Sequence, residues 1–185
     1  MKKLFALSAI ALLSTGAALA EQPSYDFVEF GYAELDEADG FVLRGNAEIN
    51  DHFYFNGGYQ ILSQDSNDLD EVKIGIGFKM PVTSNTSFFA HVDYLDWEFD
   101  NNAGSASGDG FEIGAGVRSN VRAGTELFAE LSRKDGDIES VDLEETYLTL
   151  GLRQSFNKNF GGFAEYFVGE GDDNDGFRLG IQYSF

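Results

Sequence analysis

The last nine residues of the chain alternate between two kinds of side chain. Phe177, Leu179, Ile181, Tyr183 and Phe185 are apolar, and the positions between them hold Arg, Gly, Gln and Ser. A period of two predicts a β-strand whose two faces meet different surroundings.

The same alternation recurs along the chain and predicts ten strands. Rising and descending strands alternate, and we expect them at Tyr25–Ala33, Phe41–Ala47, Phe53–Gln60, Val72–Lys79, Phe88–Tyr94, Phe111–Arg118, Leu127–Ser132, Leu148–Arg153, Phe160–Val168 and Phe177–Phe185. A regular succession of hairpins favours an all-β, antiparallel up-and-down sheet, and closure into a barrel removes the two edges of such a sheet. An eight-stranded barrel is the alternative, if two of these strands are extensions of loops.

The connections between the strands are of two kinds, which alternate along the chain. Four are short and polar, at Asn50–His52, Pro81–Thr86, Asn120–Gly124 and Asn157–Asn159. The other five are acidic, at Glu34–Asp39, Gln64–Asp70, Asp100–Asp109, Lys134–Asp142 and Gly169–Asp175. Short turns at one rim and longer acidic loops at the other are typical of a bacterial transmembrane barrel, with the turns in the periplasm and the loops outside the cell.

The composition of the two faces favours a membrane barrel over a soluble one. One face is aliphatic and aromatic, and the other combines charged residues with glycines. A soluble lipocalin-like barrel would turn the aliphatic face inward and leave the glycines on its surface, where they weaken strands. A membrane barrel points the aliphatic face at lipid and uses glycine where interior space is short. Aromatic pairs six residues apart, such as Phe53 and Tyr59, fit two aromatic girdles on tilted strands.

Charged residues on the inward face are expected to pair across neighbouring strands. The predicted pairs are Glu29 with Arg44, Asp93 with Lys79, Arg118 with Glu130, and Arg153 with Glu165. The last two follow from hairpins centred on Gly124 and Asn159. Paired charges satisfy each other in a confined lumen, where an unpaired charge would be destabilising. Large inward side chains are expected to fill the remaining space: Phe89, Leu95, Trp97, Phe128, Phe163 and Phe167.

The first twenty residues have the features of a cleavable secretory signal peptide. Lys2 and Lys3 precede an apolar stretch from Leu4 to Leu13, and Ala18-Leu19-Ala20 provides small residues for cleavage. The stretch is shorter than a membrane-spanning helix. We therefore expect a signal peptide over residues 1–20 and a single barrel domain over residues 21–185.

The overall charge excludes one class of partner. The formal net charge is −20, and the sequence contains no cysteine. A chain this acidic does not bind nucleic acid by neutralising phosphates. Most acidic residues fall in the five acidic connections, so the rim they form should attract cations.

Candidate catalytic and metal-binding residues are few. His91 and Asp93 stand two apart on one strand and suggest a dyad, but no nucleophile or second acid set accompanies them. No Cys or His cluster offers a metal site, and no cofactor is expected. The stretch Glu170–Gly176 is rich in carboxylates but lacks the spacing of a calcium-binding EF-hand. We expect at most weak binding of Ca²⁺ or Mg²⁺ at the acidic rim.

The C-terminal strand, with Tyr183 and Phe185 at its aromatic positions, resembles the terminal signal of Gram-negative outer-membrane β-barrels. In that family the barrel-assembly machinery reads this signal. The whole pattern resembles the small OmpA- and OmpX-type barrels, which have eight strands. The resemblance implies export to the cell outer membrane, insertion among lipid and lipopolysaccharide, and a monomeric barrel.

These observations predict a non-enzymatic protein with a structural or surface-interaction role and an acidic extracellular rim. A small cation-preferring pore is the alternative, and an outer-membrane enzyme is the third. The ten-stranded omptin proteases are a relevant example of the last, but this chain is far shorter.

Overall fold

A computed structural model describes residues 21–102, 104–138, 141–170 and 175–185. The predicted signal peptide, residues 1–20, lies outside the described residues. Within them no helix is long and apolar enough to cross a membrane. Ten strands form: β1 (Phe27–Leu35), β2 (Ala38–Glu48), β3 (Phe53–Gln64), β4 (Asn67–Pro81), β5 (Thr86–Asn101), β6 (Gly104–Arg122), β7 (Thr125–Ile138), β8 (Val141–Ser155), β9 (Phe160–Gly169) and β10 (Asp175–Ser184).

The strands form one closed antiparallel ring. Each strand pairs with its neighbours in the chain, and β1 pairs with β10 from Phe27↔Ser184 to Leu35↔Gly176. The prediction of ten strands in an up-and-down barrel is confirmed, and the eight-stranded alternative is wrong.

One end of the barrel carries four compact turns, and we call it the turn end. Two of these turns, after β2 and after β8, share one design. Asn50 Oδ1 accepts hydrogen bonds from the backbone N–H groups of His52 and Phe53, at 2.9 and 3.0 Å. Asn157 Oδ1 accepts equivalent bonds from Asn159 and Phe160, at 3.0 and 2.9 Å. An Asn side chain that caps its own turn in this way explains why these residues end the strands.

The opposite end, the acidic end, differs from the prediction in its strand lengths. The acidic segments predicted as loops lie largely in strands, because β4 to β8 extend over 14–19 residues each. The β1–β2 and β3–β4 connections shrink to two residues, and Asp36 and Asp65 adopt the left-handed conformation there, with φ of 52° and 55°. Aspartate tolerates this conformation better than most residues, so it permits tight hairpins.

The two faces of the sheet are divided as the alternation predicts. Outward side chains are apolar over a broad band and include Phe30, Phe55, Ile74, Ile113 and Ile181, with Ile74 63% exposed. The six large side chains predicted to fill the interior are all buried: Phe89, Leu95, Trp97, Phe128, Phe163 and Phe167. An apolar exterior around a charged and aromatic interior is the reverse of a soluble barrel.

Interior glycines make room for bulky neighbours on the adjacent strand. A Cβ atom added at Gly151 would collide with the Phe128 ring, and one added at Gly114 would collide with the His91 ring. These positions therefore accept only glycine while the neighbouring ring keeps its place. The lumen is thus packed by matching each large side chain to a glycine opposite it.

The chain before β1 departs from the strand prediction. Tyr25 and Asp26 were expected to begin the first strand, but pairing starts at Phe27. Residues 21–26 instead lie across the turn end of the barrel, where Tyr25 is only 1% exposed.

Candidate functional site

The lumen is the candidate functional site, because it concentrates the buried charges of the barrel. A cavity of about 150 Å³ lies in it. Its lining extends from Tyr25 and Phe27 at the turn end to Leu35, Tyr147 and Phe167 nearer the acidic end. Six Lys and Arg side chains and five acidic ones line this cavity together with His91, so the lining is close to neutral.

Four arginines and three glutamates form what we call the arginine network: Arg44, Arg118, Arg153, Arg178, Glu29, Glu126 and Glu165. Glu29 is 0% exposed and receives a hydrogen bond from Arg44 Nε and another from Arg153 Nε, each at 2.7 Å. Arg44 also binds Glu165 through both of its terminal nitrogens, with Nη1 at 2.9 Å from Oε2. The planar guanidinium group suits this double engagement, because it offers several donors in a fixed arrangement.

The arginine network continues toward the turn end through Glu126. This carboxylate accepts two hydrogen bonds from Arg118, at 2.9 and 2.8 Å, and one from Arg153 at 2.9 Å. Each arginine of the network also lies over an aromatic ring, and Arg153 Cζ is 4.3 Å from the centre of Phe128. Stacking of this kind holds a guanidinium group in place while its nitrogens bind carboxylates.

A second set of charges lies on β4 to β7, and we call it the lysine–histidine network: Lys73, Lys134, His91, Glu71, Asp93, Glu112 and Glu130. Lys73 Nζ is 3.0 Å from Glu112 and 3.7 Å from Asp93. Lys134 binds Glu71, which also accepts a hydrogen bond from Trp97 Nε1 at 2.9 Å. Acidic groups outnumber the lysines in this network by two.

His91 bridges two carboxylates inside the lysine–histidine network. Its Nδ1 is 2.9 Å from Asp93 Oδ2, and its Nε2 is 3.2 Å from Glu130 Oε1. The structure therefore brings together the two members of the suspected dyad. Both ring nitrogens are occupied by carboxylates, so neither faces a hydroxyl or thiol that it could activate.

The predicted lumen pairs are met in part. Arg44 lies beside Glu29 as predicted, and Arg153 Nη2 is a marginal 4.0 Å from Glu165, its closer partners being Glu29 and Glu126. The pairing of Arg118 with Glu130 is wrong, because Arg118 binds Glu126.

The register explains this error. In the β6–β7 hairpin, Arg118 stands opposite Phe128, and the turn is centred on Ala123, not on Gly124. The β8–β9 turn is likewise centred one residue earlier, so Arg153 stands opposite Phe163. Moving the centre of a hairpin by one residue changes every pairing by two and leaves each side chain on its face.

The pairing of Lys79 with Asp93 is also wrong. Lys79 stands opposite Phe89 and forms an ion pair with Glu48 at 2.5 Å. Asp93 lies four residues beyond Phe89 on β5, where Lys73 on β4 and His91 are its partners. Asp93 therefore has a lysine partner on β4, but this lysine is Lys73 and not Lys79.

A row of aspartates lies on the outer surface near the acidic end. Asp96, Asp109, Asp137 and Asp142 stand directly opposite one another on β5, β6, β7 and β8. All four are exposed, and neighbouring strands are about 4.8 Å apart. Like charges placed opposite each other repel. We call these four residues the aspartate row.

The described residues contain no group of His, Cys, Asp or Glu arranged to hold a metal ion. The aspartate row is therefore a line of separate carboxylates and not an enclosed site. The acidic stretch Glu170–Gly176 falls partly outside the part of the chain that the structure describes.

The terminal aromatic residues predicted as an assembly signal lie at the turn end. The Tyr183 ring is 5.2 Å from that of Phe160 and 6.5 Å from that of Phe185. The backbone N–H of Phe185 donates to Asp26 O at 3.4 Å, so the two ends of the sheet meet there.

Comparison with known proteins supports the fold. No protein-family model matches the chain, and no curated protein matches it either. Among solved structures, the NanC porin matches with a TM-score of 0.56 at 11% identity, over 86% of this chain and 100% of that one. The KdgM porin, in a structure with disordered oligogalacturonate, matches with a TM-score of 0.51 at 14% identity, over 86% and 99%.

An outer-membrane channel from Pseudomonas putida F1 is similar as well, with a TM-score of 0.53 at 11% identity over 92% of this chain and 97% of that one. These likenesses identify the fold as that of a small outer-membrane β-barrel. They do not single out the OmpA- and OmpX-type family, so that narrower expectation is not supported.

Proposed function

We propose that the protein is a non-enzymatic barrel of the outer membrane with a structural or surface-interaction role. The observation that carries the proposal is the distribution of charge over the barrel. An apolar band surrounds the barrel, and the exposed aspartate row lies at one end of it. The buried charges of the lumen bind one another. We infer that the turn end faces the periplasm and that the acidic end faces outward, as in bacterial barrels.

The location is tested by cell fractionation. The exported chain is expected in the outer-membrane fraction as a monomer. Deleting Phe185 should reduce its amount there, because the proposed signal for the barrel-assembly machinery loses its terminal aromatic residue. Substitution of the exposed Lys158 by Ala, in a nearby turn, is the control for a change at the same rim. Recovery of the intact chain as a soluble periplasmic protein would contradict the proposal.

The surface role is proposed to involve divalent cations and lipopolysaccharide. Repulsion within the aspartate row is relieved when a cation lies between carboxylates, and the same cation can bind a phosphate of lipopolysaccharide. The effect is weak and shared among many carboxylates, because the residues that the structure describes form no enclosed metal site beside the row.

The cation effect is tested by proteolysis of the barrel in bilayers that contain lipopolysaccharide. Millimolar Ca²⁺ or Mg²⁺ is expected to slow cleavage at the acidic end relative to NaCl of matched ionic strength. The variant Asp109→Asn/Asp137→Asn should lose most of this protection. Asp51→Asn, at the turn end, is the matched control and should keep it. Equal cleavage with and without divalent cation would show that the row is only a hydrated surface.

A small cation-preferring pore is the second candidate, and the lumen cavity favours it. The cavity lining is nearly neutral, so a preference for cations would come from the acidic end. The KdgM structure contains an anionic oligosaccharide, but the aspartate row would repel such a solute, and we therefore do not propose that ligand here. Conductance of the barrel in planar bilayers decides between the candidates: steady cation-selective current supports the pore, and silence that persists in variants opened at the turn end supports the structural role.

A further inference from the structure

The turn end of the barrel is covered by residues 21–26, which we call the N-terminal segment. This segment belongs to no strand, yet it makes specific contacts with the wall. Asn120 Nδ2 donates to Glu21 O at 2.6 Å, and Arg118 Nη2 donates to Ser24 O at 2.8 Å. Gln22 donates to the backbone carbonyl of Thr83 in the β4–β5 turn.

These contacts place the segment across the full width of the barrel. Its C-terminal end leads into β1 at Phe27, whereas its N-terminal end contacts β6 and the β4–β5 turn. In the ring of ten strands, β6 is five positions from β1 in either direction. A segment that joins β1 to β6 therefore crosses a diameter of the opening.

Tyr25 is the residue that fills the opening. Its ring lies 4.7 Å from that of Tyr54 and 6.5 Å from that of Phe89, and Arg118 Cζ lies 4.1 Å from its centre. Its hydroxyl is 3.0 Å from Ser87 Oγ, and its backbone N–H donates to Glu48 at 2.9 Å. Tyr54 on β3 and Phe89 on β5 belong to the wall, so these contacts hold the segment against the half of the ring that runs from β2 to β6.

The same ring lines the lumen cavity. Tyr25, Tyr54, Phe89 and Arg118 all border it at the turn end. The Tyr25 side chain is therefore the boundary between the cavity and the space beyond the opening. The segment is held by a few hydrogen bonds and by the buried Tyr25 ring, without the continuous ladder of backbone hydrogen bonds that joins the strands. It can therefore open locally while the ring of strands stays intact.

We propose that the N-terminal segment is a plug that closes the turn end of a conducting lumen, with Tyr25 as the closing residue. When the segment moves away from these contacts, the cavity opens at the turn end and ions pass through the barrel. This inference rests on the pore candidate described above. It predicts that the lumen is closed in this structure and that the N-terminal segment of the same chain keeps it closed.

The experiment compares full-length chains that are exported, purified from the outer-membrane fraction and placed in planar bilayers. The double variant Tyr25→Ala/Asn120→Ala removes the closing ring and the contact at the far end of the segment. Its time-averaged conductance is expected to exceed that of the unmodified protein at least tenfold. Tyr25→Phe keeps the ring and should stay close to the unmodified protein. Tyr94→Ala removes an outward tyrosine and is the matched control, expected to change nothing.

A second measurement separates failure of the plug from failure of the pore. The chain has no cysteine, so Thr149→Cys places a single thiol in the cavity lining. A small charged thiol reagent, added on the turn-end side of liposomes, should modify it at least tenfold faster when the double substitution is also present. Resistance to unfolding by detergent without heating verifies that each variant is folded.

Conductance and the rate of thiol modification together distinguish the plug from the pore. Faster modification together with higher conductance supports the plug and the pore. Steady conductance that the double substitution leaves unchanged, with an unchanged modification rate, would retain the pore and overturn the plug. Faster modification without any current would overturn the proposal that this opening leads to a conducting path. Silence in both measurements would overturn the plug and the pore together.

Discussion

The two charged networks of the lumen both pair buried charges, but they do so with different side chains. In the arginine network, four guanidinium groups share three glutamates, and each guanidinium group also rests on an aromatic ring. In the lysine–histidine network, two lysines and His91 face four carboxylates, and Lys73 is 27% exposed to the cavity. The first network has an excess of cations, and the second has an excess of acid and is slightly more exposed.

This difference shows what holds distant strands together inside the barrel. Arg44 on β2 binds Glu165 on β9, and Arg153 on β8 binds Glu29 on β1, so each link joins strands that are three apart in the ring. A guanidinium group can bind two carboxylates at once, whereas an ammonium group acts as a point charge on a flexible stem. We therefore expect the stability of the barrel to depend more on the arginine network.

The largest effect is expected from Glu29→Gln. This change leaves Arg44 and Arg153 without their shared carboxylate, and breaking a buried ion pair by removing one partner costs about 3–5 kcal/mol. The free energy of unfolding of the lipid- or detergent-folded barrel, measured by denaturant titration, should fall by that amount. Glu34→Gln, at the acidic end of the same strand, is the control and should change it little. A loss no larger than that of the control would show that water replaces the missing carboxylate.

An intermediate effect is expected from Arg44→Lys, which keeps the positive charge but removes the planar guanidinium group that binds two carboxylates. The lysine can bind Glu29 or Glu165 but not both in the present geometry, and a lost hydrogen bond to a charged group is worth about 1.5–3 kcal/mol. The reverse change, Lys73→Arg, should alter the free energy of unfolding much less. Equal losses for the two substitutions, measured by the same denaturant titration, would mean that charge alone matters in both networks.

The smallest effect is expected from Glu130→Gln in the lysine–histidine network. The Glu130 side chain is 21% exposed and its ion pair is with His91, which keeps Asp93 as a partner. Partly hydrated pairs of this kind contribute roughly 0–1 kcal/mol. A thermal unfolding scan should show a small shift that shrinks further in high salt. A loss as large as that of Glu29→Gln would remove the distinction between the two networks.

The faces of the strands could be predicted from the sequence, whereas the partners inside the lumen could not. Alternation fixes whether a residue points inward, so Phe89, Trp97 and Arg153 were assigned correctly to the interior. Partners depend on the centre of each turn, and an error of one residue there set Arg118 opposite Glu130. Arg118 in fact stands opposite Phe128 and binds Glu126, two residues nearer the turn. Pairs that cross the lumen, such as Arg153 with Glu29, depend on closure of the whole ring and have no local signal.

The N-terminal segment was missed for a related reason. Tyr25 stands two residues before Phe27, so its position fits the alternation of β1 and it was assigned to that strand. The position of the whole segment is decided by contacts with Ser87, Arg118 and Asn120 on the far side of the barrel. A pattern within one segment cannot report on contacts with residues so far along the chain.

The meeting of β1 with β10 makes the barrel a candidate for circular permutation. This pairing joins residues 27 and 184, whereas every other strand pairs with its immediate successor, so closure of the ring is the one step that waits for the whole chain. A peptide bond from Phe185 to Asp26, with new ends in the Asn50–Asp51 turn, would make that pairing local and omit residues 21–25. Folded in detergent, without the barrel-assembly machinery, such a chain would keep the ring of strands and lose most of the N-terminal segment. Closure of the ring could then be studied separately from closure of the lumen.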